Sequence, residues 1–222
     1  MNDDNRRWWI LATMTGSLSM ILIDQTVVSV ALPTMQRDLD LSTTGLQWVI
    51  NAYLLSIAVF VALGGRAGDL LGHVRIFRAG ALLFVLASAA CGFAQSETWI
   101  IVARTVQGVG AAMMTPSSQA IVTNTFGPSE RGRAMGIYAG ISMVFLALGP
   151  LVGGLLVEGI TWRAVFFVNL PVGLVMLALA GRTLRRDAPQ GGRMDWVGAP
   201  LIVLGLGALV LALMQSNTWG WG

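Results

Sequence analysis

Lysine is absent from this 222-residue chain, and cysteine and histidine occur once each. All 14 basic residues are therefore arginine, from which alone no function follows. The single cysteine, Cys91, supports neither a disulfide nor a cysteine metal site, and within its apolar block it reads as a small buried residue. The single histidine, His73, has no Ser or Cys motif around it and reads as a solvated loop residue, not a catalytic or metal-binding one. Charge is also scarce. Asp, Glu, Lys and Arg make up 11% of the chain, against about 25% in soluble domains, so a large water-soluble core is excluded. The isoelectric point near 10.0 is high. The net charge is only +3, however, and the arginines are scattered between apolar blocks, so a nucleic-acid partner is excluded. No nucleophile–base pair, metal cluster or nucleotide loop is present, which argues against an enzyme.

What the chain has instead is hydrocarbon. Apolar residues make up 55% of it and the mean hydropathy is +0.70. They come in blocks of about 20, the length that crosses a hydrocarbon layer of about 30 Å. Seven spans are predicted, over 8–30, 46–64, 76–94, 99–122, 135–157, 163–181 and 196–214. The expected fold class is an all-α polytopic membrane protein. The opening Arg6-Arg7-Trp8-Trp9 followed by an apolar run has a signal-peptide flavour. The run is too long for that and contains Asp24 with no small-residue cleavage pattern behind it, so it reads as a retained first span.

Arginine placement sets the expected orientation. With the N-terminus cytoplasmic, eleven arginines fall in inside segments and only Arg37 and Arg163 in outside ones, with Arg104 inside a span. That asymmetry is the positive-inside pattern of an inner (plasma) membrane protein, and it places the C-terminus outside. The expected division is a six-helix bundle over 1–181, a cytoplasmic loop over 182–195, and an extra seventh span opening an outer loop over 196–222.

Two charges inside spans stand out, Asp24 and Arg104. An ionisable group inside a bilayer costs about 2.5–3.5 kcal/mol on insertion scales, and chains that keep one commonly move protons, ions or charged solutes. A carboxyl in apolar surroundings favours its protonated form unless a cation offsets it, which suits Asp24 to carrying a proton. Arg104 stays charged and needs a partner or water. Asp24 lies at a similar depth, so a face-to-face relation, direct or through water, is expected. Gln25, Gln107 and Gln119 are candidate cavity residues. Small residues Gly108 and Gly110 favour close helix packing.

The segment Gly64 to Arg75 is predicted to be an inside loop. Its glycines allow a tight turn, and Asp69 is expected to cap a helix or pair with Arg75 or another arginine. In the fifth span, Gly149-Pro150 and Gly153-Gly154 predict a bent, closely packed helix, because Pro removes a backbone hydrogen bond.

In order, these segments resemble the major facilitator superfamily, and most of all its fourteen-span drug:proton antiporter branch of the EmrB/QacA type. Asp24-Gln25-Thr26-Val27-Val28 through Pro33 is similar to that branch's first-span motif. Gly65, Asp69, Gly72 and Arg75 resemble the cytoplasmic loop motif, and Arg104 with Gln107-Gly108 and Gly110 the fourth-span motif. Gly136, Gly149, Pro150, Gly153 and Gly154 resemble the antiporter motif. Trp162-Arg163 through Phe166-Phe167, then Asn169 to Gly173, and finally Asp195-Trp196 with Gly198, are typical of the branch. The resemblance implies proton coupling through Asp24 and Arg104, a latch at Asp69 and its loop, and control of occlusion by the Gly-Pro helix. It also implies no cofactor beyond the proton gradient, and the lipid bilayer and a hydrophobic or cationic small molecule as partners. The chain departs from the pattern at Leu70, His73 and Val74, where basic residues are usual, and at Phe145, where glycine is.

The family uses twelve or fourteen spans, and its substrate site lies between two bundles near the midplane. The expected reading is therefore the N-terminal half of a multidrug exporter whose second half is missing here. A short half-transporter acting with a second copy, and a non-transporting scaffold or truncated product, are the alternatives.

Overall fold

The computed structural model describes residues 3–185, 187 and 198–219. Among them every regular element is helical: α1 Asp3–Leu39, α2 Thr43–Leu71, α3 His73–Gly92, α4 Glu97–Thr125, α5 Pro128–Gly159, α6 Ala164–Phe167, α7 Asn169–Thr183 and α8 Gly198–Trp219. Five segments are long and apolar enough to cross a membrane: Asn5–Leu39, Thr43–Leu71, His73–Gly92, Pro128–Gly159 and Ala164–Thr183. The last joins α6 and α7 across Val168, so the sixth predicted span is broken by one residue. The fourth predicted span is α4, which carries Arg104, Gln107, Ser117, Ser118 and Gln119 and is not among these five. The seventh corresponds to α8, whose apolar stretch is Val203–Ala212.

Helix ends follow local chemistry. Ser42 and Ser96 cap α2 and α4, each accepting from a backbone N–H three residues on, at Gly45 (2.9 Å) and Trp99 (3.3 Å). Pro128 starts α5, where its missing N–H costs nothing. The helices outrun the predicted spans. At about 1.5 Å per residue, a 29-residue helix such as α2 is about 44 Å long and projects beyond the hydrocarbon.

One expectation is corrected here. The segment 64–75 is not a loop, because α2 runs to Leu71 and α3 begins at His73, leaving Gly72 as the joint. Gly72 has φ +95°, a conformation that favours glycine. Packing overrides the turn signal of the other glycines. A Cβ on Gly64 would collide with the Ala112 carbonyl of α4, and one on Gly68 with the His73 ring. His73 is correspondingly buried, not solvated.

α2 and α3 pack along α4, and α1 packs along α5, with α6–α7 against α1 and α3 and α8 against α2. Small residues make the seams close. A Cβ on Gly108 would lie 2.6 Å from the Tyr53 carbonyl, and one on Gly110 2.7 Å from the Phe84 nitrogen.

The α1–α5 seam explains the Gly-Pro pair. Pro150 has no N–H, so the Leu146 carbonyl one turn earlier has lost its helical donor. Thr26 of α1 fills that vacancy, its Oγ1 lying 3.2 Å from Leu146 O while also reaching Ile23 O at 3.2 Å. Gly149 leaves the space that this hydroxyl occupies, since a Cβ there would collide with Thr26 Oγ1. Thr26→Val should therefore cost about 1–3 kcal/mol, the penalty for an unsatisfied buried carbonyl. In a Pro150→Ala background the helix donor returns and the cost should vanish. Thermal unfolding of the complete protein and the three variants measures this cycle, and equal losses in both backgrounds would refute the link.

Candidate functional site

Asp24 sits in the buried interior of α1 and Arg104 in that of α4, with 0% and 1% of their surfaces exposed. The structure brings them into contact: Arg104 Nη1 donates to Asp24 Oδ2 at 2.6 Å. The same nitrogen donates to Gln107 Oε1 at 2.8 Å, and Nε donates to the Val49 carbonyl of α2 at 3.1 Å. The guanidinium stacks 4.1 Å from the Tyr53 ring centroid. A planar fork serves these four neighbours at once, which a point charge does not.

The second carboxylate oxygen is also claimed. Asp24 Oδ1 accepts from Gln107 Nε2 at 3.1 Å and from Asn169 Nδ2 at 2.8 Å. Both amides also donate to Ser88 Oγ of α3, at 3.3 and 3.0 Å, and Ser88 passes its own proton to the Phe166 carbonyl at 3.0 Å. Cys91 Sγ completes the set with a 3.6 Å contact to Gln107 Oε1. An ionised carboxylate only accepts, and each of Asp24's hydrogen-bonding neighbours is a donor. The network joins α1, α2, α3, α4, α6 and α7 in a buried interior, where ion pairs and hydrogen bonds are stronger than in water. Breaking it to put a proton on Asp24 frees Arg104 from its anion.

Of the three glutamines predicted to line a cavity, Gln107 is in the network. Gln119 is exposed, and Gln25 is half-buried without a polar partner among the described residues. Asn169, Ser88 and Tyr53 were not anticipated as site residues. Asn169 has a readable signal, an amide inside an apolar span, but only packing shows that it meets Asp24.

The latch residues separate. Asp69 lies 3.3 Å from His73 Nε2 and 3.9 Å from Nη1 of Arg66, so, of the arginines allowed for, it is Arg66 and not the exposed Arg75 that lies beside it. The cap of α3 comes from Asp187, whose carboxylate accepts from the His73 N–H at 2.6 Å and the Val74 N–H at 3.2 Å. Gly65 is in ordinary contact with Pro116, 3.5 Å from a would-be Cβ. The α5 residues divide as well. Gly149 and Gly153 face α1, whereas Gly136 and Gly154 face open space. Gly149→Ala should cost about 1–3 kcal/mol as overpacking, and Gly154→Ala nothing measurable. Matched losses of melting temperature in the two variants would contradict this geometry. Asp195, Trp196 and most of the loop 182–195 lie outside the described residues.

Asp38 at the end of α1 accepts from Trp162 Nε1 at 2.8 Å and from Arg163 Nη1 at 3.0 Å. Arg163 also donates to the Ala94 carbonyl at 3.0 Å. These bonds fasten α1, the α3–α4 turn and the α5–α6 turn together.

The sequence profile of the Major Facilitator Superfamily matches residues 14–195. The chain belongs to this superfamily. It is a multi-pass membrane protein of a transporter family, not an enzyme. It is 43% identical to the puromycin resistance protein pur8 of Streptomyces alboniger, over 99% of this chain and 44% of the relative. It is 38% identical to the tetracenomycin C resistance and export protein of Streptomyces glaucescens, over 98% of this chain and 41% of the relative. Its identity to the cephamycin export protein CmcT of Amycolatopsis lactamdurans is 40%, over 91% and 43%. The chain thus spans less than half the length of these curated relatives. The fold is that of a solved peptide transporter, POT, which superposes with a TM-score of 0.74 at 15% identity over 100% of this chain and 51% of that one.

Proposed function

We propose that this superfamily member is the N-terminal bundle, with the following span, of a proton-coupled exporter of hydrophobic or cationic small molecules. The observation that carries the reading is the buried Asp24–Arg104 ion pair in a shell of donors. A purely structural pair of this kind is a poor use of two charges, since desolvation offsets much of the Coulomb gain. A carrier that alternates between ionised and protonated Asp24 gains a switch from the same expense. In the ionised state the network ties six helices. Protonation removes the anion, leaves Arg104 on Gln107, Val49 and Tyr53, and loosens α1 against α4. The export named for relatives, of tetracenomycin C and of cephamycin, supports export of small molecules.

The Arg distribution supports an inner-membrane placement with a cytoplasmic N-terminus. The work also needs a second bundle, since sites of this kind form between two. The coverage of the relatives supports supply of that bundle by further chain over supply by a second copy. The exposed α5 face, including Gly136, Leu148 and Leu151, is suited to receive it.

The test is efflux from proteoliposomes holding the complete protein under an imposed pH gradient. A neutral hydrophobic dye such as N-phenyl-1-naphthylamine should leave the binding phase faster with the gradient than without it. Collapse of the gradient by a protonophore should abolish the difference. Equal rates with and without the gradient would overturn the reading.

A further inference from the structure

Between α1, α5 and the α6–α7 stretch lies a cavity of about 320 Å³. Its walls carry no charged side chain, and its polar side chains are Ser19 and Asn169. The Ser19 hydroxyl is already engaged with Ser142 Oγ at 3.3 Å. Asn169 is different. It is 2% exposed, and its Nδ2 spends both protons, on Asp24 and on Ser88. No donor among the described residues reaches its Oδ1. An acceptor left open on a cavity-lining side chain is available to the donor of a guest.

The mouth is framed by Phe145 and Val172, 41% and 37% exposed. Phe145 is the residue that stands where glycine is usual in the motif that α5 resembles. On the opposite wall Met176 lies against Gly16, where a Cβ would be 2.9 Å from the Met176 methyl. A thioether without a side chain behind it adapts to the shape of a guest.

We propose that this cavity binds a compact, neutral, mainly apolar small molecule that carries one N–H or O–H, with Asn169 Oδ1 accepting that hydrogen. The volume is at the small end of ligand sites. The uncharged wall excludes a cation, which would be buried without a partner. Every residue that lines the cavity belongs to this bundle. Asn169 then joins the guest to Asp24 through a single amide, so occupancy alters one of the three donors that hold the carboxylate. That link to Asp24 rests on the exporter reading above; the binding does not.

Equilibrium dialysis of N-phenyl-1-naphthylamine against the complete protein in phospholipid nanodiscs, with protein-free nanodiscs as the blank, tests the site. Saturable binding should weaken about tenfold or more, over 1.4 kcal/mol, in Val172→Trp, which closes the mouth. Leu174→Trp, an exposed position on α7 that does not line the cavity, should bind as the wild type. 1-Phenylnaphthalene, which has the rings without the N–H, should bind about fivefold more weakly, as expected for one lost hydrogen bond. Binding no greater than the blank, equal effects of the two Trp variants, or equal affinity of the two ligands would each overturn the proposal. So would native mass spectrometry that finds a phospholipid held by the wild type and lost in Val172→Trp, which would assign the cavity to an acyl chain. Gradient-driven efflux that survives Asp24→Asn would instead overturn the coupling role of Asp24 and leave this binding result standing.

Discussion

Asp24→Asn is expected to reduce efflux driven by a pH gradient to the level of protein-free liposomes, a fall of about 100-fold or more, the scale of a positioned proton-transfer group. The carboxylate is buried, and it is the acidic residue among the buried polar side chains described. No neighbouring carboxyl in that interior can replace it. Asn keeps the size of the side chain and one acceptor oxygen for Arg104. It is also close in charge to protonated Asp24, a state that the proposed cycle itself visits. The variant should therefore insert and fold, bind solute, and fail to respond to the gradient. Downhill exchange of preloaded dye, which needs no net proton movement, should be reduced far less. The measurement pairs gradient-driven efflux with exchange in the same liposomes. Wild-type efflux from the Asn variant would remove Asp24 from the coupling path.

Arg104→Lys keeps the charge and should still fail. Arg104 serves Asp24, Gln107 and Val49 with Nη1 and Nε and lays its plane over Tyr53. A lysine ammonium is a point charge on a flexible stem and does not reproduce a planar fork with a stacked face. At least one charge-assisted bond is lost, each worth about 1.5–3 kcal/mol. Melting temperature should fall, and gradient-driven efflux should drop about 10-fold or more, because the same 1.4 kcal/mol per decade applies to the switching equilibrium. The sharper readout is stoichiometry. With Asp24 less firmly held, proton entry without solute exit should rise, seen as faster collapse of the pH gradient in the absence of dye. Unchanged stoichiometry and an unchanged leak would count against the pair as the coupling device.

How much of this was legible in the sequence varies from residue to residue. Asp24 and Arg104 were conspicuous because a charge in a hydrocarbon run has few reasons to be there. Their matching depth made contact a reasonable expectation, and the 2.6 Å bond realises it. The shell was harder to see. Asn169 and Ser88 are ordinary polar residues in apolar spans, 81 positions apart in the chain, and nothing local says that they share a carboxylate's surroundings. The 64–75 segment failed for a related reason. Its glycines look like a loop when read one after another, yet Gly64 and Gly68 are there so that α4 and His73 can approach the α2 backbone.

The class of molecule is legible without any fold: apolar blocks of spanning length, the arginine asymmetry and the two charges inside spans are properties of composition and order, and they need no partner to be recognised. Tertiary structure alone decided which polar groups meet, that Gly149 and Gly153 face α1 while Gly136 and Gly154 do not, and that Thr26 supplies the hydrogen bond that Pro150 removed from Leu146. The reason is physical. Hydrophobic partition depends on each segment separately, whereas a buried hydrogen bond depends on the angle and distance between helices that the chain brings together only when it folds.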